Sequence, residues 1–177
     1  MSTGLAAFTI FHVAISLIGI LAGLVVVFGM LTARRLDGWT GLFLWTTVAT
    51  SVTGYMFPVH KLLPSHVVGF ISLLVLAIAM FAFYRRHLGG GWRSAYVITA
   101  VIALYLNVFV LVVQLFERVP ALKALAPTQS EPPFKIVQLV VLVLFIIIGI
   151  FATKRFHTEP AATTKRVNLD TGAQLGR

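Results

Sequence analysis

Cysteine is absent from the chain, which excludes disulfides, thiolate metal centres and thiol catalysis but says nothing about compartment. Acidic residues are nearly absent: Asp and Glu together number 5 in 177 residues. None of them falls inside a long apolar run, so no intramembrane carboxylate is available for a proton relay or a cation pathway. No serine stands in a convincing pattern with a histidine and an acid, which argues against hydrolytic catalysis. Internal repeats and broken apolar runs, the marks of a carrier, are also missing.

Apolar sequence is what the chain has in excess. Hydrophobic residues make up 59% of it, charged residues 11%, and the mean hydropathy is +0.97. These values belong to a protein whose solvent is the bilayer. The net charge of +9 comes from Lys and Arg at the ends of apolar runs. It does not form a basic patch interleaved with aromatics, so it points to membrane topology and away from nucleic acid. The expected partner is the lipid bilayer, with another membrane protein or a second copy of this chain beside it.

A helix needs about 20 apolar residues to cross a hydrocarbon core of roughly 30 Å. Five stretches approach that length, approximately 5–31, 38–57, 66–84, 94–116 and 134–153. They are too long and too uniformly apolar for barrel strands, and backbone hydrogen bonds cannot be left open in lipid. The expectation is therefore an all-α, polytopic membrane helical bundle with five transmembrane helices in residues 1–156. The first run has no basic residue before it and is about twice as long as a signal-peptide core, so it is read as a retained span. Residues 157–177 carry no apolar periodicity and read as a disordered cytoplasmic tail.

Orientation follows from the basic residues. Arg34, Arg35, Arg85, Arg86, Arg93, Lys154, Arg155, Lys165, Arg166 and Arg177 fall on one side. The other side has Lys61, Arg118, Lys123 and Lys135, offset by Glu117 and Glu131. This bias predicts an outside N-terminus and a cytoplasmic C-terminus.

Local signals set the boundaries. Asp37 reads as the N-cap of the second helix, and Pro64 with Ser65 as the start of the third. Gly89-Gly90-Gly91 breaks the chain before Trp92. Val119 to Leu125 suits a short interfacial helix, and the proline-bounded segment from Ala126 to Pro133 is expected to be extended.

Polar and small residues aligned on one helical face mark where a span meets protein. In the first span, His12, Ser16, Gly19 and Gly23 form such a stripe. In the fourth, Tyr96, Ala100, Ala103, Asn107 and Gln114 do the same. The second span carries Thr40, Thr46, Thr47, Thr50, Ser51, Thr53 and Gly54, which predicts a central, protein-surrounded helix whose hydroxyls bond back to the chain or to neighbours.

At about 1.5 Å of rise per residue, His12 lies roughly 10 Å from the middle of its span, His66 and Gln114 about 13 Å, and Gln138 about 9 Å. All four displacements point outward, so a polar layer is expected near the outer face. His12 and His66 are candidate axial ligands of a haem b, since neutral imidazole ligates iron well and glycines make room for a porphyrin. Copper or zinc held by His12, His60 and His66 is a second ligand set. Asn107, Gln114 and Gln138 are candidate pocket-lining residues. The plainer reading has His12 hydrogen-bonded to a neighbouring hydroxyl or amide, with His60 and His66 in the wet interface.

Two segments, Leu63-Pro-Ser-His-Val-Val-Gly-Phe-Ile-Ser-Leu73 and Ala124-Leu-Ala-Pro-Thr-Gln-Ser-Glu-Pro-Pro-Phe134, resemble parts of a group of small uncharacterised bacterial multi-pass inner-membrane proteins. The resemblance extends across all five spans. It implies a bacterial inner membrane and adds no activity. The likeness to small haem-carrying cytochrome b subunits rests only on histidines in a helical bundle. The function expected is that of a non-enzymatic accessory or structural membrane protein with a polar outer-face pocket; the alternative is a redox protein binding haem b or a metal through His12 and His66.

Overall fold

A computed structural model of the chain describes residues 3–57 and 64–156. Among these residues every regular element is helical: α1 (Thr3–Leu31), α2 (Asp37–Tyr55), α3 (Pro64–Met80) closing in a π-helical turn (Phe81–Arg85), α4 (Trp92–Arg118), α5 (Pro120–Leu125) and α6 (Pro132–Arg155). Four helices are long and apolar enough to cross a membrane: Thr3–Leu31, His66–Arg85, Trp92–Arg118 and Pro132–Arg155. Their length follows from uninterrupted apolar sequence, in which the backbone satisfies itself. Helix α2 is a regular helix of 19 residues rich in hydroxyls, and it is not among these four.

The local signals meet mixed outcomes. Helix α3 starts at Pro64, and Pro120 and Pro132 stand in the first turns of α5 and α6, where a missing N–H costs nothing. The π turn, positive φ at His87 and Leu88, and Gly90 at φ 55° end the third helix and reverse the chain. Asp37 does not cap α2: Leu36 holds the cap position without a side-chain bond, and Asp37 instead accepts from Arg35 Nε at 2.5 Å. The segment after α5 is not extended but curls, with Gln129 N–H donating to the Ala126 carbonyl at 3.2 Å.

Helices α1 and α2 form an antiparallel hairpin in contact along most of its length. A Cβ at Gly29 would meet Leu36, one at Gly23 would meet Phe43, and one at Gly19 would meet Thr46 and Thr47. Further along, His12 reaches Thr53. The glycines are there because the crossing is tight: a Cβ at Gly23 would stand 2.6 Å from Leu104 Cδ1 and 2.9 Å from the Phe43 ring. Close approach of this kind is how membrane helices gain packing energy when lipid and neighbour are equally apolar.

The central helix is α4, not α2. It touches α1, α2, α3, α5 and α6, and it buries Tyr96, Val97, Ala100, Ala103 and Leu104 almost completely. Helix α2 lies between α1 and α3 with Trp39, Leu42, Trp45 and Val52 turned outward. Most of its hydroxyls bond to their own helix or to one neighbour, so they do not require a central position, while Thr50 Oγ1 is buried with no partner among the described residues. Thr46 and Thr53 donate to the carbonyls of Leu42 and Ala49 at 2.6 and 2.7 Å. Thr40 meets the Tyr96 hydroxyl at 3.0 Å, and Ser51 donates to Ser72 at 3.3 Å. Such back-bonding lets a hydroxyl sit in an apolar setting cheaply.

The up-and-down order of α1, α2, α3, α4 and α6 gathers Arg34, Arg35, Arg85, Arg86, Arg93, Lys154 and Arg155 at one end of the bundle. This basic end is braced locally. The Arg86 guanidinium lies 5.2 Å over the Trp92 ring, and Arg93 donates to the Thr153 carbonyl at 3.3 Å.

Candidate functional site

The opposite end carries the residues singled out in the sequence. His12 Nδ1 lies 2.7 Å from Thr53 Oγ1. Because the Thr53 hydroxyl already gives its proton to the Ala49 carbonyl, it accepts from Nδ1–H, and the imidazole keeps its lone pair on Nε2. The ring also packs edge-on against Phe57 at 5.2 Å. His66 sits elsewhere: its ring packs 5.4 Å from that of Tyr55, whose hydroxyl donates to the His66 carbonyl at 2.6 Å. Gly69 makes this contact possible, since a Cβ there would meet the Tyr55 hydroxyl at 3.2 Å.

Thr53 and Tyr55 are two residues apart on α2 and so face opposite sides of it. The two histidines therefore engage opposite flanks of α2, which packs against both α1 and α3. The structure does not bring them together as a facing pair. His60 lies outside the described residues. Among the described residues no group of three His, Asp or Glu side chains is disposed to hold a metal ion.

The candidate pocket residues also separate. Asn107 Nδ2 donates to Thr47 Oγ1 at 3.2 Å, joining α4 to α2 in the bundle interior. Gln138 Nε2 donates to the Phe109 carbonyl at 3.2 Å, fastening α6 to α4, while its Oε1 is buried with no donor among the described residues. Gln114 is exposed on α4.

A different set of side chains forms the cavity at this end. An open groove of about 640 Å³ runs along α4, within the usual range for small-molecule sites. Its wall is apolar: Phe109, Val110, Val113 and Phe116 of α4, with Val68 of α3 and Phe134 of α6. Phe116 and Phe134 pack edge to face at 5.4 Å. Over this wall lie Lys123, Pro127, Thr128 and Gln129, with Glu117 at the end of α4. Phe109, Val113 and Phe116 follow helical spacings of four and three, the same periodicity as the polar stripe. In the sequence that pattern is indistinguishable from a lipid-facing one, which is why the groove was not anticipated.

The roof is held by its own chemistry. Gln129 takes the left-handed conformation, φ 58°, and its Nε2 donates to the Val113 carbonyl at 3.2 Å. Glu131 gathers the turn: one carboxylate oxygen accepts from the Thr128 amide and hydroxyl at 3.1 and 2.9 Å, the other from the Ser130 amide at 3.0 Å. Desolvation opposes ionisation of Glu131, but the Thr128 hydroxyl and the backbone amides outweigh it and hold the carboxyl below its ordinary value.

No family model, curated protein or solved structure matches this chain. The site is therefore read from its chemistry alone. It offers aromatic and aliphatic contact along the helices, one carboxylate and one ammonium beside them, and a roof of amide and hydroxyl groups.

Proposed function

We propose that the chain is a five-span bacterial inner-membrane protein, N-terminus outside and C-terminus cytoplasmic, that serves as a non-enzymatic accessory protein by holding an amphiphile in the groove beside α4. The observation that carries this reading is the composition of the groove, apolar along the spans and polar under the α5–α6 connection. That division matches a molecule with a hydrocarbon part and a headgroup.

A fifth crossing is supported by the α1–α2 hairpin. Contacts from Gly23–Phe43 to His12–Thr53 keep α2 level with α1, so a bilayer that contains α1 over this length contains α2 as well. The outward Trp39, Leu42, Trp45 and Val52 suit a lipid-facing side. The orientation is supported by the basic end, whose arginines and lysines belong in the cytoplasm.

Topology is tested by reporter fusions. A periplasm-active phosphatase fused in the segment between α2 and α3 should be active, and the same enzyme fused after Arg177 inactive; the reverse pattern would overturn the orientation. The function is tested by extracting lipid from the protein purified in mild detergent. Retention of about one amphiphile per chain is expected, with loss in Val113→Trp, which fills the groove. Equal retention by the wild type and the filled variant sinks the reading.

A further inference from the structure

We infer that the groove selects a zwitterionic phospholipid, one whose headgroup carries an ammonium and a phosphate; this deepens, and rests on, the reading of the groove as an amphiphile site. A lipid that leaves the bilayer for the groove exchanges one apolar environment for another. Its chains therefore gain little net free energy from Phe109, Phe116 and Phe134. Discrimination must come from the polar end, where unsatisfied headgroup or protein charges are costly.

At that end the groove presents one charge of each sign. Glu117 and Lys123 both line it, both are exposed, and they make no ion pair with each other. Two opposite charges beside one cavity, not paired with each other, complement a headgroup whose own two charges are joined by a short linker. Lys123 would take the phosphate through a charge-assisted hydrogen bond, and Glu117 the ammonium, through a hydrogen bond where the headgroup nitrogen carries N–H and through charge attraction alone where it is quaternary. A lipid with phosphate alone would satisfy Lys123 and bring its anion beside the Glu117 carboxylate, which is unfavourable. A lipid without phosphate would satisfy neither. The Thr128 amide and hydroxyl are committed to the Glu131 carboxylate, which adds to the penalty for a headgroup with phosphate alone, while Gln129 adds neutral hydrogen-bonding capacity.

The test is native mass spectrometry of the full-length protein in detergent, titrated with phosphatidylethanolamine, phosphatidylcholine, phosphatidylglycerol and diacylglycerol of identical chains. Phosphatidylethanolamine should bind about tenfold more tightly than phosphatidylglycerol, the factor supplied by one charge-assisted hydrogen bond, with phosphatidylcholine between the two and diacylglycerol, which meets neither charge, weakest. Lys123→Met should weaken both zwitterionic lipids, and Glu117→Gln should let phosphatidylglycerol rise to equal them. These surface substitutions leave the bundle interior intact, so the assay does not depend on the groove-filling variant folding. Equal binding of all four lipids, or a wild-type preference for phosphatidylglycerol, overturns the headgroup assignment and leaves the groove reading standing, provided Val113→Trp abolishes binding. Binding that survives in a monodisperse Val113→Trp protein, or a stoichiometric polypeptide that excludes all four lipids, overturns both.

Discussion

Substituting Gly23 by alanine tests the tightest helix crossing in the molecule. The added methyl would stand 2.6 Å from Leu104 Cδ1 and 2.9 Å from two carbons of the Phe43 ring. Neither neighbour has room to yield, since Leu104 is 0% and Phe43 1% exposed. Overpacking a filled site costs about 1 to 3 kcal/mol. Alanine recovers roughly 0.5 to 1 kcal/mol of helix propensity, so a net loss of up to about 2.5 kcal/mol is expected, with a mid-range value of about 1 kcal/mol. Gly4→Ala is the control: nothing lies within 4 Å of a Cβ there, and it should be neutral or slightly stabilising. Thermal unfolding in detergent, followed by tryptophan fluorescence, reads both. The cause is isolated by a cycle with Leu104→Ala. If the clash is with Leu104, the double variant should lose less than the sum of the singles by about 1 kcal/mol. A Gly23→Ala protein more stable than the wild type by the full helix-propensity gain would refute the close crossing of α1 with α2 and α4, and strict additivity in the cycle would refute the contact with Leu104.

Replacing Asn107 with leucine removes its bond to Thr47 and should cost about 0.6 kcal/mol, the usual worth of an interhelical hydrogen bond in a membrane. Gln138→Met removes one bond together with a buried acceptor that has no donor among the described residues, so the two effects offset and the melting temperature should hardly move. His12→Ala should loosen the α1–α2 contact by about 1 kcal/mol in the same assay; a Soret band in the purified protein that disappears in this variant would support haem ligation by His12. Glu131 supports the roof in its ionised form, and its folded pKa is lowered from an ordinary 4.5. Its contribution is therefore present above that value and lost as pH falls through the lowered one. Protection of the Thr128 and Ser130 amides, read as the observed exchange rate relative to the intrinsic rate at each pH, should be constant from neutral pH down to this range and fall below it, and Glu131→Gln should abolish that fall.

Of the candidate site, little was legible beforehand. His12 was recognisable as a polar group on the protein-facing side of α1, and there it meets the Thr53 hydroxyl. Its separation from His66 was not recognisable, because each histidine lies on a correct face of its own helix and only the position of α2 between them separates the two. The central place of α4 was hidden for a related reason. Hydroxyls that bond back to their own helix look, in sequence, the same as hydroxyls that need a neighbour.

Apolar length alone determined that the described regular structure is helical and which long helices can cross a membrane, since a backbone in lipid has no other way to satisfy itself. Helix starts at proline, the glycine break before α4 and the collection of basic residues at one end are equally local in origin. The register of α1 on α2, the roof built by Glu131 over Thr128 and Ser130, and the groove beside α4 were decided only by the tertiary structure. In a bilayer, lipid and protein neighbours are equally apolar, so a row such as Phe109, Val113 and Phe116 does not reveal what it will face. That is settled by which backbones approach closely enough to pack, and glycines distant in sequence control it.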